Sequence, residues 1–153
     1  MQFVLTPVGF VRGGRSEATD DHWADSICRI EIDPAQFKSE ALDGIEAFSH
    51  LEIVFVFDKV QDNEIEYGAR HPRGRRDWPK VGIFAQRGKN RPNRLGVSVC
   101  RLVARRGLAL EVQGLDAIDG SPVLDVKPVM KGFQPRASIH EPAWASEIMR
   151  EYW

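Results

Sequence analysis

The feature that most constrains the fold is a series of short apolar runs in which apolar and polar residues alternate, separated by turn-forming residues. Because these runs do not alternate with helical segments, a parallel α/β sheet is disfavoured. The pattern predicts a mainly β protein, a small antiparallel β-barrel of about seven strands with one or two short helices. The predicted strands lie within residues 3–12, 26–32, 51–57, 81–85, 95–99, 108–112 and 123–129.

Two segments have the pattern of a short helix. Asp33 and Pro34 suit the N-cap and first position of a helix that Gly44 would end. Near the C-terminus, apolar side chains at helical spacing predict an amphipathic helix over about residues 141–152, packed on the body of the chain or on a second subunit. Its apolar residues are Trp144, Ile148, Met149 and Tyr152.

The length of 153 residues favours a single domain, residues 1–153, with a sizeable core. The composition, 42% hydrophobic and 28% charged, is that of a soluble globular protein, and no apolar run is long enough to cross a membrane. The N-terminus does not resemble a signal peptide. Cys28 and Cys100 are far apart in sequence, which favours two reduced thiols in the cytoplasm over a single disulfide.

Positive charge is concentrated in one part of the chain. Residues 70–106 carry 12 Lys or Arg and one acid, a net charge of +11, whereas the remainder carries 9 and 21, a net charge of −12. Such a block suggests a surface for a polyanion, with nucleic acid as the first candidate. The alternative is that the fold interleaves acidic and basic strands and neutralises the charge.

Within this basic block, residues 87–94 read RGKNRPNR, with four cations among Gly, Pro and Asn. Such turn-forming residues favour a defined loop, and its cations would stand at the rim of a sheet, where they could hold an anion or a nucleotide. The alternative is a solvated hairpin loop.

Familiar catalytic motifs are absent. There is no Walker A loop, no GxGxxG after a first strand, no HExxH and no GxSxG, and the four histidines lack the spacing of metal ligands, so no metal site is expected. Three loops remain, at residues 48–50, 87–94 and 116–122. If they met at one rim of a barrel, they would form a pocket for a nucleotide-like ligand.

Four motifs stand in a characteristic order: GIEAFSH at residues 44–50, VGIFAQR at 81–87, RPNRLGVS at 91–98, and GLD with DGSPVLDVKP at 114–128. Over about residues 6–128 the chain resembles the TsaA/TrmO-like family, also called YaeB-like or VirR-like. This resemblance implies an S-adenosylmethionine-dependent methyltransferase on a small antiparallel barrel. It also implies a homodimer with the cofactor near the subunit interface. The implied acceptor is the exocyclic nitrogen of threonylcarbamoyl-adenosine in the tRNA anticodon loop.

The resemblance also implies site residues. Those expected to contact the cofactor are His50, Leu51, Arg87, Val97, Asp119, Gly120, Ser121 and Pro122. The catalytic or shaping candidates are Asn93, Asp116, Asp125 and Lys127, although Asp125 and Lys127 could instead form a buried ion pair that braces the barrel. The cations expected to bind tRNA phosphates are Arg73, Arg75, Arg76, Lys89, Arg91 and Arg94.

Two departures from the family pattern leave the substrate open. The family's first loop carries a proline-arginine-glutamine segment, whereas residues 18–23 here read ATDDHW. The bacterial tRNA-methylating members also carry a further C-terminal domain, whereas here only a helix follows the barrel motifs. The alternatives are a non-catalytic nucleotide- or RNA-binding barrel, and a methyltransferase for a different RNA or a small molecule.

Overall fold

The structure, a computed structural model that describes all 153 residues, is built on a closed six-stranded barrel. Every strand pair is antiparallel, and the order around the barrel is β1-β2-β7-β6-β3-β8. The remaining strands, β4 and β5, form a separate two-stranded sheet. The predicted mainly β architecture is therefore confirmed, with six strands in the barrel.

The elements have the following bounds. The strands are β1 (Gly9–Arg12), β2 (Ile27–Ile32), β3 (His50–Val56), β4 (Ala69–Arg70), β5 (Val81–Gly82), β6 (Leu95–Arg106), β7 (Ala109–Gln113) and β8 (Pro122–Pro128). The α-helix is α1 (Ala143–Ile148), which is shorter than the amphipathic helix predicted over about residues 141–152 and does not include Met149 or Tyr152. Short 3-10 turns span Ser39–Leu42, Ile45–Ala47, Asp62–Glu64, Pro72–Gly74, Ile83–Ala85, Pro92–Arg94 and Lys131–Phe133. No helix is long and apolar enough to cross a membrane.

The core fills the barrel interior because alternate residues of each strand point inward. In β3, Leu51, Ile53 and Phe55 are at most 1% exposed, and the residues between them are only partly buried. The same alternation in β2 buries Cys28 and Ile30. A single cluster of 14 buried residues results, and it confirms the period-2 interpretation of the sequence.

Two predicted strands are shorter than expected. β1 begins only at Gly9, and the apolar residues before Pro7 are exposed, since proline lacks the N–H that a continued ladder needs. The predicted strand at residues 81–85 pairs only over its first two residues. It then turns, because Ile83 enters the interior and the buried Gln86 side chain bonds back to two backbone carbonyls at 2.9 and 3.1 Å.

The predicted helix after Asp33 is wrong. Asp33 does cap a turn, with its Oδ1 accepting the N–H of Ala35 at 2.9 Å, but the chain then forms only a short 3-10 turn. Phe37 and Leu42 both pack against the core. Residues five apart do not share one face of an α-helix, so burying both side chains disfavours continuous helix.

Gly96 is required by the packing of Phe55, its cross-strand partner. A Cβ at Gly96 would lie 2.5–2.8 Å from three atoms of the buried Phe55 ring. We expect Gly96→Ala to lower the free energy of unfolding by about 1–3 kcal/mol through overpacking. Urea denaturation measures this change. Gly132→Ala, where nothing lies within 4 Å of the added Cβ, is the control. Equal midpoints for the two variants would contradict the prediction.

The two cysteines, both free and buried inside the barrel, predict a loss of stability at alkaline pH. Burial raises the pKa of Cys28 to about 11 and that of Cys100 to about 12 from an ordinary value of 9.0. The folded chain then holds protons that the unfolded chain releases, so the free energy of unfolding falls as pH rises above about 9. Each thiol contributes a slope of at most about 1.4 kcal/mol per pH unit. Denaturation from pH 8 to 10.5 should show a shallower decline for Cys28→Ala/Cys100→Ala than for the wild type; identical slopes would contradict the assignment.

Candidate functional site

The longest strand, β6, is paired on each side for only part of its length. Its first half bonds to β3, and its second half, from Arg101 onward, bonds to β7. Residues 95–100 therefore have one edge without a partner strand, which we call the open edge of β6. Backbone groups on such an edge need other partners, and the side chain of Arg87 supplies one of them.

Arg87 comes from the loop that precedes β6. Its Nη2 donates to the carbonyl oxygen of Val97 at 2.6 Å, and no carboxylate of the chain pairs with it. The chain around it is held in place, since the buried Gln86 is fixed by backbone carbonyls and its own carbonyl accepts from Arg91 Nη1 at 2.8 Å. The exposed guanidinium keeps donors available for an anion.

The rest of the basic loop, residues 87–94, has a defined conformation. Pro92–Arg94 forms a 3-10 turn in which Asn93 and Arg94 have φ angles of 64° and 52°. Arg94 also pairs with Asp62. The turn-forming residues of this segment therefore predict its fixed conformation correctly.

Asp116, in the loop between β7 and β8, contacts the next residue of β6. Ser98, which follows Val97 directly, donates its hydroxyl to Asp116 Oδ1, and the hydroxyl of Tyr152 donates to Oδ2. Both chain neighbours of Asp116 are buried, at 0% and 3% exposure, and they anchor the loop against the core. The cation of Arg87 and the carboxylate of Asp116 are thus held at adjacent positions of one strand.

Tyr152 remains protonated in this environment. Burial raises the pKa of Tyr152 far above the ordinary value of a tyrosine, and the negative charge of Asp116 and their hydrogen bond raise it further. The phenol therefore stays a donor throughout the physiological pH range, while Asp116 is the acceptor.

The C-terminal segment, residues 141–153, carries Tyr152 to this position. Its backbone accepts two hydrogen bonds of 2.8 Å, from the N–H of His22 to Glu151 and from the N–H of Trp23 to Tyr152. Trp78 Nε1 adds a bond of 2.7 Å to Glu147 Oε2. Since these partners belong to the same chain, the segment packs on the body of its own molecule.

The turn at residues 119–122 is fastened to the end of β1. Asp119 Oδ1 accepts the N–H of Gly13 at 2.8 Å, and the N–H of Gly120 donates to the Val11 carbonyl at 2.8 Å. Gly120 has a φ of 86°, which favours glycine, and a Cβ there would meet nothing within 4 Å. Ser121 is buried. The turn therefore offers a fixed backbone beside open space.

A groove of about 300 Å³ lies further along β6. His50 and Arg101, which oppose each other across β3 and β6, line it together with Gly114 and Trp153. His50 Nδ1 is 2.7 Å from the hydroxyl of Ser49. The groove thus combines an imidazole, a guanidinium and a half-exposed indole.

The three predicted loops do not meet at one barrel mouth within a single chain. His50 opposes Arg101 and Val56 opposes Leu95, so residues 48–50 and 87–94 lie at opposite ends of β3, about 20 Å apart. The prediction of one common mouth is wrong in this respect. The structure instead brings Arg87 and the loop carrying Asp116 together at the open edge and places the His50 side chain in the groove beside Gly114.

Comparison with known protein families decides what this barrel is. Residues 19–134 match the family model described as the tRNA-methyltransferase O (TrmO) N-terminal domain. The chain belongs to this family. The family resemblance predicted from the four motifs is confirmed.

Individual relatives agree with this assignment to the TrmO family. The human tRNA (adenine(37)-N6)-methyltransferase is 32% identical over 143 residues, which are 89% of this chain and 32% of that protein. A probable S-adenosyl-L-methionine-binding protein of Methanothermobacter thermautotrophicus is 36% identical over 132 residues, 84% of this chain and 90% of that one. A TrmO crystal structure from Pseudomonas aeruginosa superposes with a TM-score of 0.73 at 28% identity, covering 92% of this chain and 62% of that one. The chain spans 23–32% of the length of the mouse, human and rat methyltransferases.

Two of the TrmO-like catalytic candidates form a surface ion pair. Lys127 Nζ contacts Asp125 Oδ2, and their side chains are 56% and 47% exposed. The alternative of a buried pair that braces the barrel is therefore wrong, because a pair this exposed contributes little to stability. Asn93, the third candidate, is exposed at the tip of the basic loop.

Most of the cations predicted to bind RNA are engaged within the chain. Arg73 pairs with Asp21 at 2.8 Å, Arg75 pairs with Asp77 and lies 4.1 Å from the Trp78 ring, Arg94 pairs with Asp62, and Arg91 bonds to a backbone carbonyl. Arg76 and Lys89 are exposed and have no carboxylate partner. These two cations are the best placed of the six to meet phosphates.

Three residues of this TrmO-like site were not predicted from the sequence. Ser98 stands in the RPNRLGVS motif, so its position was visible although its partner was not. Tyr152 belongs to an apolar helical stripe, which says nothing about the target of its hydroxyl. Arg101 looks like an ordinary surface cation until the register of β3 and β6 sets it beside His50.

Proposed function

We propose that this chain forms the cofactor-binding and methyl-transfer part of an S-adenosylmethionine-dependent methyltransferase that acts on an adenine exocyclic nitrogen in tRNA. The observation that carries the proposal is that Arg87 and Asp116 contact adjacent residues of β6, Val97 and Ser98. Membership in the TrmO family, and relatives described as S-adenosylmethionine-binding or tRNA adenine methyltransferases, support it. The acceptor implied by the motifs is threonylcarbamoyl-adenosine in the anticodon loop.

The residues at this edge fit the proposed cofactor chemically. Arg87 can hold the cofactor carboxylate, since its guanidinium has no acidic partner in the chain. The open space at Gly120 lets a flat ligand approach the backbone. The remaining proposed contacts are His50, Leu51, Val97, Asp119, Ser121 and Pro122. Leu51 would contribute through its backbone, because its side chain is fully buried.

The protein has to position the acceptor and receive its proton. When bound, S-adenosylmethionine supplies an electrophilic methyl group on a sulfonium, and the S–C electron pair stays with the departing thioether. Asp116 is the proposed acceptor of the proton that the amino nitrogen loses as its new N–C bond forms. A carboxylate beside a sulfonium also matches its positive charge. Asn93 is retained as a shaping or catalytic candidate, and Asp125 and Lys127 are retained as shaping candidates whose exposed ion pair does not receive this proton.

The proposed tRNA contacts combine the basic loop with its surroundings. Arg76 and Lys89 would bind phosphates directly, while Arg73, Arg75, Arg91 and Arg94 would hold the loops that present them. A base in a tRNA loop can be splayed out of its stack toward Asp116. Because phosphate contacts release counterions, binding should weaken steeply as salt increases.

We further propose that the chain works as a homodimer in the cytoplasm, where tRNA is found and thiols remain reduced. Support comes from β6, where Val97, Val99 and Val103 are 38%, 41% and 45% exposed, with Arg101 between the second and the third. Pairing two chains would also offer a way to bring residues 48–50 of one subunit near residues 87–94 of the other. Sedimentation equilibrium should give twice the monomer mass of 17.3 kDa.

One experiment tests the proposed activity. The purified chain is incubated with methyl-labelled S-adenosylmethionine and total tRNA from a strain that lacks the corresponding gene, and nucleosides are then identified by mass spectrometry. The expected product is a threonylcarbamoyl-adenosine that has gained one methyl group. Cofactor binding by calorimetry without any methyl incorporation would favour a non-catalytic barrel. Methylation of a different nucleoside would keep the reaction and change the substrate.

A further inference from the structure

The C-terminal segment delivers a single hydroxyl to the centre of the candidate site. We propose that Tyr152 is a positioning residue, whose hydroxyl, together with that of Ser98, sets the orientation of the Asp116 carboxylate toward the methyl acceptor. This inference rests on the proposed methyl-transfer role of Asp116. It makes residues 141–153 a working part of the site rather than a peripheral helix.

The geometry around Asp116 carries the first step of the argument. Ser98 donates to one carboxylate oxygen and Tyr152 to the other, so rotation of the carboxylate would break both bonds. The two donors are 18 and 36 residues away in sequence, and only the folded barrel brings them together. Each oxygen keeps a further lone pair. The carboxylate is thus fixed in direction and still able to accept a proton.

The second step concerns how the segment is held. Its anchors do not depend on the Tyr152 hydroxyl, because they consist of the backbone bonds to His22 and Trp23 and the bond between Trp78 and Glu147. Trp23 and Trp78 are 2% and 5% exposed. Removing the hydroxyl should therefore leave the ring and the segment in place.

The loop that receives the segment is itself fixed. Arg73 pairs with Asp21 at 2.8 Å, and Arg15 donates at 2.7 Å to the Asp21 carbonyl while its guanidinium lies 4.3 Å from the centre of the Trp23 ring. This loop includes residues 18–23, where the chain departs from the family pattern. In this chain the backbone N–H groups of His22 and Trp23 bind the C-terminal segment and hold it near the open edge. These residues therefore have a structural role.

The first test is the variant Tyr152→Phe, which removes only the hydroxyl. We expect kcat to fall by about 10- to 100-fold, the loss typical of a hydrogen bond to a charged group, with the KM values for cofactor and tRNA within about twofold. Glu147→Gln is the matched control on the same segment, and it should keep kcat within about twofold because the amide can still accept from Trp78. Ser98→Ala combined with Tyr152→Phe should deviate from additivity, since both hydroxyls bind one carboxylate.

The outcomes separate the inference from the proposed function. If the wild type transfers no methyl group, the proposed function fails. If the wild type is active and Tyr152→Phe retains full kcat, the positioning role fails while the function stands. A rise in kcat would also overturn it, because the segment would then act as a cover that opens for substrate.

A second readout does not depend on activity. The chain has two tyrosines, and Tyr67 is 79% exposed. In a Tyr67→Phe background, spectrophotometric titration observes Tyr152 alone, which should stay protonated beyond the ordinary tyrosine range near pH 10. Adding Asp116→Asn should lower the pKa of Tyr152, because a negative charge beside the phenol is removed. Unchanged titration would mean that the two side chains do not interact in solution.

Discussion

Replacing Asp116 by Asn is expected to reduce methyl transfer by about 10²- to 10⁴-fold, the range over which a general base contributes. The amide cannot take the proton that the acceptor nitrogen loses. Cofactor affinity should change by no more than about tenfold, because Arg87 and residues 119–122 remain. Single-turnover incorporation of a labelled methyl group, with cofactor binding measured by calorimetry, separates the two effects.

The control for this variant is Asp125→Asn, which makes the same chemical change in the surface pair with Lys127. We expect its rate to stay within about threefold of the wild type, since a screened surface charge contributes little. The fold should survive in both variants. The Ser98 and Tyr152 hydroxyls can rotate to donate to, or accept from, an amide at position 116. If Asp125→Asn loses activity and Asp116→Asn retains it, the base has been assigned to the wrong carboxylate.

The second large effect is expected from Arg87→Ala, which should weaken cofactor binding by about 30- to 1,000-fold. This loss corresponds to about 2–4 kcal/mol, the lower part of the range for truncating one partner of a hydrogen-bonded charge pair. Stability should change little, because Arg87 is exposed and its side chain bonds to one backbone carbonyl. Calorimetric titration with S-adenosylmethionine measures the first quantity, and thermal denaturation the second.

Lys89→Ala is the matched control, since Lys89 is an exposed cation of the same loop with no acidic partner. It should bind cofactor like the wild type and bind tRNA more weakly, with a smaller dependence on salt. Equal losses of cofactor affinity in the two variants would point to a general charge effect. Full affinity in Arg87→Ala would place the cofactor pocket elsewhere.

The barrel could be predicted from sequence because burial in it follows a local rule. Leu51, Ile53 and Phe55 alternate in the chain and all point into one core, so a period of two is visible without any knowledge of partners. The motifs around Arg87 and Asp116 predicted the loops that the fold places along one edge. Local signals also marked the turn at residues 92–94.

Features that depend on pairing could not be predicted in the same way. The register of β3 against β6 sends residues 48–50 to the far end of the strand from residues 87–94, and no local pattern encodes that offset. The partner of Tyr152 is likewise set by tertiary folding, since its contact spans 36 residues. The helix expected after Asp33 failed because burial of Phe37 and Leu42 outweighed a favourable start.

The open edge of β6 affects how readily the protein aggregates at high concentration. A strand edge with free N–H and C=O groups can recruit a strand from another molecule and begin aggregation. Here Arg87 donates a hydrogen bond to the Val97 carbonyl, and the loop that carries Asp116 contacts the neighbouring Ser98. The residues proposed to bind the cofactor and to accept the proton thus also protect the barrel against edge-to-edge association, and we expect Arg87→Ala to aggregate more readily than the wild type.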